Sequence, residues 1–326
     1  MSDANPVFPG PGQKSRSVLA FDTPLLHGYE WPYIAVSGTS DGPTVTLLAG
    51  IHGAEYTPID AVLRFCQALD PATLRGRLVA VPVVNLPAFW ERTPFVCPRD
   101  GQNLNRVFPG DPAGGFSAVL AHYLFERVIR RGDYLIDLHA GDLVEELAPF
   151  SLVQATGNAA IDTVAIDLAD AFGLPYLVVQ PAGGGPVAGT TNAAAAAAGI
   201  PALIAEAGGI GQVQPEAVAL HLRGLNRVLQ YLKMLPGEPE PLQSPARMRH
   251  FVWLRAEQGG FFRRRVAAGD TVAAGQIVGE TVDLWGEPCA TTVSPVDGVV
   301  LFVTTSPAIA GDGLIVGIIV GIGVRE

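Results

Sequence analysis

The sequence predicts an α/β protein with a smaller all-β unit at its C-terminal end, and three observations carry that reading. Strand-like and helix-like segments alternate from Thr44 to Leu232. A proline-rich stretch, Leu235–Arg247, then reads as a linker. Beyond it helical periodicity disappears, and short β-type runs follow, separated by Gly, Asp and Pro.

Residues 1–30 show no apolar period and read as an irregular arm. Thr44–Ala49 (TVTLLA) is a short apolar run ending at a glycine, as expected of a buried strand. Glu55–Leu69 has apolar residues at helical spacing. Arg77–Val84 is β-rich, Ala118–Arg130 is helical by period, and Tyr134–Leu138 (YLIDL) is another short strand. The glycine-rich stretch 183–189 reads as a loop. Asn192–Ala198 reads as an alanine-rich helix, with Thr190, Thr191 or Asn192 as its cap. Ala202–Ala205 is a fourth apolar strand, and Pro215–Leu232 is the last helix. The expected division is a catalytic α/β unit over 1–241 and a β-barrel or sandwich over 242–326. In the second unit, GDTVAAGQIVG, SPVDGVVLFV and GDGLIVGIIVG suggest two related halves.

Composition narrows the function. The chain has 326 residues, 48% apolar and 16% charged, enough to bury a large core. A net charge of −10 argues against nucleic acid or an anionic membrane as a partner. The run Leu314–Val320 is too short for a bilayer span, which needs ~20 apolar residues. Cys66, Cys97 and Cys289 form neither a disulfide framework nor a thiolate metal site, which fits a reducing cytoplasm. The first sixteen residues lack the apolar core of a secretory signal.

Four segments carry chemistry. Gly50-Ile51-His52-Gly53-Ala54-Glu55 sits where a strand gives way to a helix, and a His and a Glu three apart there share a direction. Taken alone it also reads as a polar turn with a capping Glu. Ile136-Asp137-Leu138-His139 ends another strand, with Asp137 placed to orient His139; alone, His139 could equally be packed. Ala205-Glu206-Ala207-Gly208-Gly209 ends a third, and packing does not explain a carboxylate there. Together they form a His₂Glu set, His52, Glu55 and His139, that suits one catalytic Zn²⁺ per chain. Glu206 is then the separate carboxylate needed as base and proton shuttle. In Arg99-Asp100-Gly101-Gln102-Asn103-Leu104-Asn105-Arg106, Asn105 and Arg106 suit a substrate carboxylate, and Arg99 or Arg92 an oxyanion. His27, His122, His221 and His250 have no nearby ligand partner and read as structural.

In the order GIHGAEYTPIDAV, NLNRVFPG, DLH and EAGG, the chain resembles the succinylglutamate desuccinylase and aspartoacylase family. The resemblance implies a zinc-carboxypeptidase-like mixed sheet flanked by helices. It implies zinc on His52, Glu55 and His139, Glu206 as base and general acid, and Asn105 with Arg106 at the substrate carboxylate. Arg99 stands near the place of the carbonyl-polarising arginine. The implied substrate is a small N-acyl amino acid, with acetyl-diaminobutyrate, acetyl-aspartate and succinyl-glutamate all open. A carboxypeptidase and a non-catalytic metal-containing binding protein are the competing readings. The C-terminal unit also resembles biotinyl and lipoyl domains in its GD and VDGVV turns, but no lysine follows Lys233 to carry a prosthetic group. It is expected to cap the site, or else to mediate homo-oligomer contacts through exposed sheet edges.

Overall fold

A computed structural model describes residues 5–182, 188–311 and 318–325, with the side chains of 250, 251 and 318–325 left out. Residues 183–187 of the glycine-rich stretch, and 312–317 in the last apolar run, lie outside the described residues.

The N-terminal region contributes β1 (Gln13–Leu19), β2 (Trp31–Ser37), β3 (Ser40–Ala49), β4 (Arg75–Val81), β5 (Tyr134–His139), β6 (Glu145–Leu147), β7 (Phe150–Gln154), β8 (Tyr176–Gln180) and β9 (Ala202–Glu206). Its helices are α1 (Tyr56–Ala68), α2 (Leu86–Glu91), α3 (Phe116–Arg127), α4 (Ala159–Phe172), α5 (Thr191–Ala197) and α6 (Pro215–Tyr231). The sheet runs β1-β2-β4-β3-β5-β9-β7-β8. Its centre, β4, β3, β5 and β9, is parallel, while β1, β2 and β7 enter antiparallel. The near-continuous apolar runs of β3, β5 and β9 belong to parallel strands covered on both faces. Trp31, Leu47, Val62, Leu124, Leu168 and Leu229 are buried in one core that joins β2 and β3 to α1, α3, α4 and α6.

The expected irregular arm is corrected in part. Residues 13–19 form β1, paired antiparallel with β2 from Gln13↔Ser37 to Leu19↔Trp31. Its sequence, QKSRSVL, is largely exposed, and backbone pairing at the sheet edge holds it without an apolar period. Helix α5 begins where expected, with Thr190 Oγ1 accepting the N–H of Ala193 at 3.4 Å.

After the proline-rich stretch come β10 (Ala246–Arg255), β11 (Gly260–Arg264), β12 (Thr271–Val272), β13 (Ile277–Val282), β14 (Pro288–Val293), β15 (Gly298–Thr304), β16 (Ala308–Ile309) and β17 (Ile318–Arg325). The first three residues of β10 pair parallel with β8, and β10 then pairs antiparallel with β17. The large sheet thus continues through β10, β17, β15 and β12. A second antiparallel sheet, β14-β13-β11-β16, faces its end. Phe262 and Val278 from this small sheet pack with Val272, Val300 and Val303. A further apolar cluster joins Phe150, Leu152, Val178 and Ile204 to Met248, Val299, Leu301 and Phe302. Strand β6 pairs with β15, from Phe302↔Leu147 to Thr304↔Glu145. The observed architecture is therefore the mixed α/β sheet with flanking helices and smaller antiparallel β-structure at the C-terminal end. Among the described residues, no helix is long and apolar enough to cross a membrane.

Candidate active site

The three chemical segments leave the C-terminal ends of three adjacent parallel strands. Ala49 of β3 pairs with Leu138 of β5, and His139 pairs with Glu206 of β9. In open α/β sheets this edge is where ligands bind. Two glycines make the turn after β3. Gly50 sits at φ +66°, in the left-handed region, and a Cβ there would meet the Val83 backbone at 3.0 Å. A Cβ on Gly53 would lie 2.2 Å from Phe89 N, so α2 can approach only a glycine. Glu55 then caps α1, buried, and faces both histidines.

Glu55 Oε1 lies 2.6 Å from His52 Nδ1, and Glu55 Oε2 lies 3.0 Å from His139 Nδ1. The ligand atoms of these three residues all fall within 4.8 Å of one another. The opposite ring nitrogens are also held. His139 Nε2–H donates to Asp137 Oδ2 at 3.0 Å, and His52 Nε2–H donates to Asn103 Oδ1 at 3.1 Å. Thr191 Oγ1–H donates to the same Asp137 oxygen. With the Nε2 protons so engaged, each Nδ1 needs a proton or a cation between it and the carboxylate oxygen it faces. Two acceptors at such distances need positive charge between them. A metal cation meets that need, and the donor set, two imidazoles and one carboxylate, is that of a catalytic zinc site. Ala140 N–H also donates to Glu55 Oε2, at 3.1 Å.

The electrostatics are strongly coupled to this geometry. Burial alone would raise the Glu55 carboxyl, but His52 and His139 outweigh it and hold it at about 2. Burial opposes a charged His139, but Asp137 and Glu55 carry its pKa well above the usual imidazole range. Glu206 is pushed well above the usual carboxylate range, first by burial, with His139 opposing and Glu55, Glu145 and Asp137 adding to the rise. Burial lowers Arg106, and Glu206 counteracts it.

Asn105 is buried, with its Oδ1 accepting the Thr191 N–H at 2.9 Å and its Nδ2 lying 3.5 Å from His139 Nε2. The Arg106 guanidinium donates to Asn105 O at 2.7 Å. The Arg99 side chain is 46% exposed and paired with Glu91. Three polar residues escaped the motif reading. Asn103 and Thr191 fix the ring-holding network. Asp142, buried, accepts the N–H of Phe95 at 2.8 Å and of Leu143 at 2.6 Å. It fastens the loop at Phe95, whose φ of +60° is unusual for a bulky residue. Only the occurrence of Asn103 in the NLNR run signalled any of the three in sequence.

A family model, the succinylglutamate desuccinylase/aspartoacylase catalytic domain, matches residues 41–232. The N-alpha-acetyl-L-2,4-diaminobutyric acid deacetylase of Halomonas elongata is 30% identical over 260 residues, covering 77% of this chain and 74% of that one. A succinylglutamate desuccinylase/aspartoacylase from Rhodobacter sphaeroides superposes with a TM-score of 0.83 at 26% identity, covering 96% of both chains. The product-bound ectoine utilization protein EutE (DoeB) from Ruegeria pomeroyi gives the same TM-score of 0.83 at 25% identity, covering 95% of both chains.

Proposed function

Because the chain belongs to the succinylglutamate desuccinylase/aspartoacylase family, we propose that it hydrolyses the amide of a small N-acyl amino acid, with one zinc ion held by His52, Glu55 and His139. The observation that carries this reading is the convergence of two imidazole Nδ1 atoms on the two oxygens of Glu55. Bound there, zinc supplies Lewis acidity, bringing the pKa of water to ~7 and polarising a carbonyl oxygen.

The protein's own residues do the rest. Glu206 takes a proton from the attacking water and returns it to the amide nitrogen as the C–N bond breaks. The products are a carboxylate and a free amine. A carboxyl already pushed upward by burial is suited to hold that proton between the two steps. Arg106 binds the carboxylate of the amino-acid half as a charged fork. Asn105 assists through its Nδ2–H groups, since its oxygen is taken by Thr191. Arg99 could serve a substrate oxygen only by leaving Glu91.

The name of the Halomonas relative makes N-acetyl-2,4-diaminobutyrate the first substrate to try. In this reading 1–241 is the catalytic unit. The β-rich unit, 242–326, leans on the loop beside the metal cluster through the β6–β15 pairing and the Glu146–Arg264 ion pair, and limits substrate size.

The test is a hydrolysis screen of N-acyl amino acids by the metal-free and zinc-reconstituted chain, with elemental analysis of His52→Ala and His139→Ala. Zinc-dependent turnover and loss of metal in both variants are expected. Stoichiometric zinc retained in both would sink the site.

A further inference from the structure

Two adjacent threonines open α5, and they bond in different directions. Thr190 is the cap. Its hydroxyl oxygen accepts the Ala193 N–H at 3.4 Å, and its proton goes to Asn192 Oδ1 at 2.6 Å. Thr191 is fully buried and takes no part in that cap. A threonine hydroxyl near a helix start commonly bonds to backbone close by. This one crosses to β5 and donates to Asp137 Oδ2. The Thr191 backbone N–H goes elsewhere again, to Asn105 Oδ1 at 2.9 Å. The lead-in to the helix is fitted to the same neighbours: Gly189 O accepts the Phe108 N–H at 2.9 Å, and a Cβ on Gly189 would lie 2.2 Å from Arg106 O.

Asp137 is fully buried, and among the described residues its two side-chain hydrogen bonds both fall on Oδ2, from His139 Nε2 and from Thr191. Its Oδ1 has no partner. A buried carboxylate with two donors depends heavily on each. Without the hydroxyl, the imidazole is its last tether, and the carboxylate is free to turn from the ring it orients. The contacts also close on themselves. They run from Thr191 through Asp137, His139, Glu55, His52, Asn103 and Asn105 back to Thr191.

We propose that Thr191 is a positioning residue with two separate actions. Its hydroxyl holds Asp137 against His139 and so sets zinc affinity, while its backbone N–H sets the Asn105 carboxamide for the substrate. This rests on the zinc deacylase reading above. A side-chain change removes the first action and leaves the second. The expected loss of zinc affinity is about tenfold, the lower end of what removing a ligand's outer partner costs, because Asp137 itself remains.

The experiment uses the full chain, Thr191→Val and Thr191→Ala, which lack the hydroxyl in two sizes, and Thr191→Ser, which keeps it. Zinc affinity is measured by competition against a chelator. In the metal-free chains, imidazole ¹H–¹⁵N spectra follow the His139 Nε2–H, identified by its absence in His139→Gln. KM for Nα-acetyl-L-2,4-diaminobutyrate is measured at saturating zinc. T191V and T191A are expected to lose about tenfold in zinc affinity and to exchange the His139 ring proton faster, with KM near native. T191S should restore both the affinity and the proton. Native zinc affinity in T191V and T191A, or an equal loss in T191S, overturns the role of the hydroxyl. A rise in KM as large as the loss of affinity overturns the separation of the two actions. Failure of the native chain to bind zinc or to hydrolyse the acetyl compound defeats the zinc deacylase reading instead, and the ring proton of the metal-free chains still judges Thr191.

Discussion

Asn103 Oδ1 receives the Nε2–H of His52 at 3.1 Å and the backbone N–H of Asn105 at 2.8 Å. One side chain thus ties the His52 imidazole, a proposed zinc ligand, to the segment that presents Arg106. Partners of this kind fix ring orientation, and their loss typically lowers metal affinity about 10–100-fold. Asn103→Ala is expected to show that loss in a zinc competition against a chelator while the far-UV spectrum is unchanged. Native affinity in the variant would mean that Glu55 alone orients His52.

Glu206→Gln should keep the fold and the zinc. It should lower kcat by about 10²–10⁴, the usual yield of general acid–base catalysis. Single-turnover rates on the best substrate, with metal content measured on the same sample, decide it. Near-native turnover in a zinc-loaded variant removes Glu206 from the chemistry.

The two candidate arginines should separate kinetically. Arg106→Ala leaves the substrate carboxylate without its charged partner, a change that costs about 2–5 kcal/mol, expected mainly as a raised KM. Arg99 is solvent-facing and engaged by Glu91, so Arg99→Ala is expected to change either parameter little. A large fall in kcat for Arg99→Ala, with KM unchanged, would reverse this and make Arg99 the oxyanion donor.

His221 gives a stability signature. It is fully buried on α6, its Nε2–H donates to Ala207 O at 3.1 Å, and burial pushes its pKa down to about 4 from 6.5. The folded value is the lower one, so on acidification the unfolded chain takes up the proton first. The contribution of neutral His221 is complete above pH 6.5 and is lost as pH falls toward about 4, by about 1.4 kcal/mol per pH unit within that window. Urea unfolding of the native chain and His221→Gln at about pH 7 and about pH 5 should show a shallower pH dependence in the variant. Parallel losses in the two would place the acid sensitivity elsewhere.

The cluster of His52, Glu55 and His139 was legible because its residues, like Glu206, stand in short motifs at or just past the ends of apolar strands, and three such ends on one parallel sheet meet at one edge. The residues that support it are joined across long sequence distances. Asn103 is 51 positions from His52, and Thr191 is 54 from Asp137, so no local pattern reports these two hydrogen bonds, although Asn103 itself stands in the NLNR run. Strand β1 lacked an apolar face because an edge strand is held by its backbone. The proline-rich stretch signalled a boundary, yet the hydrogen bonding of β10 to β8 depends on a pairing 70 residues apart in the chain, from Tyr176 to Ala246.

That pairing sets a timetable for synthesis. Emerging from the ribosome at about 5–20 residues per second, the chain exposes β8 before β10 exists to cover it. Until residue 246 arrives, the edge of β8 is an open template for another nascent chain. Phe150, Leu152 and Val178 meanwhile lack Met248, Val299, Leu301 and Phe302. His52, Glu55, His139 and Glu206 are all translated by residue 206, but the sheet beneath them is finished only when the last strands are. A ribosome stalled between these points would hold a chain with all four of these side chains and an uncovered apolar flank, open to wrong pairing.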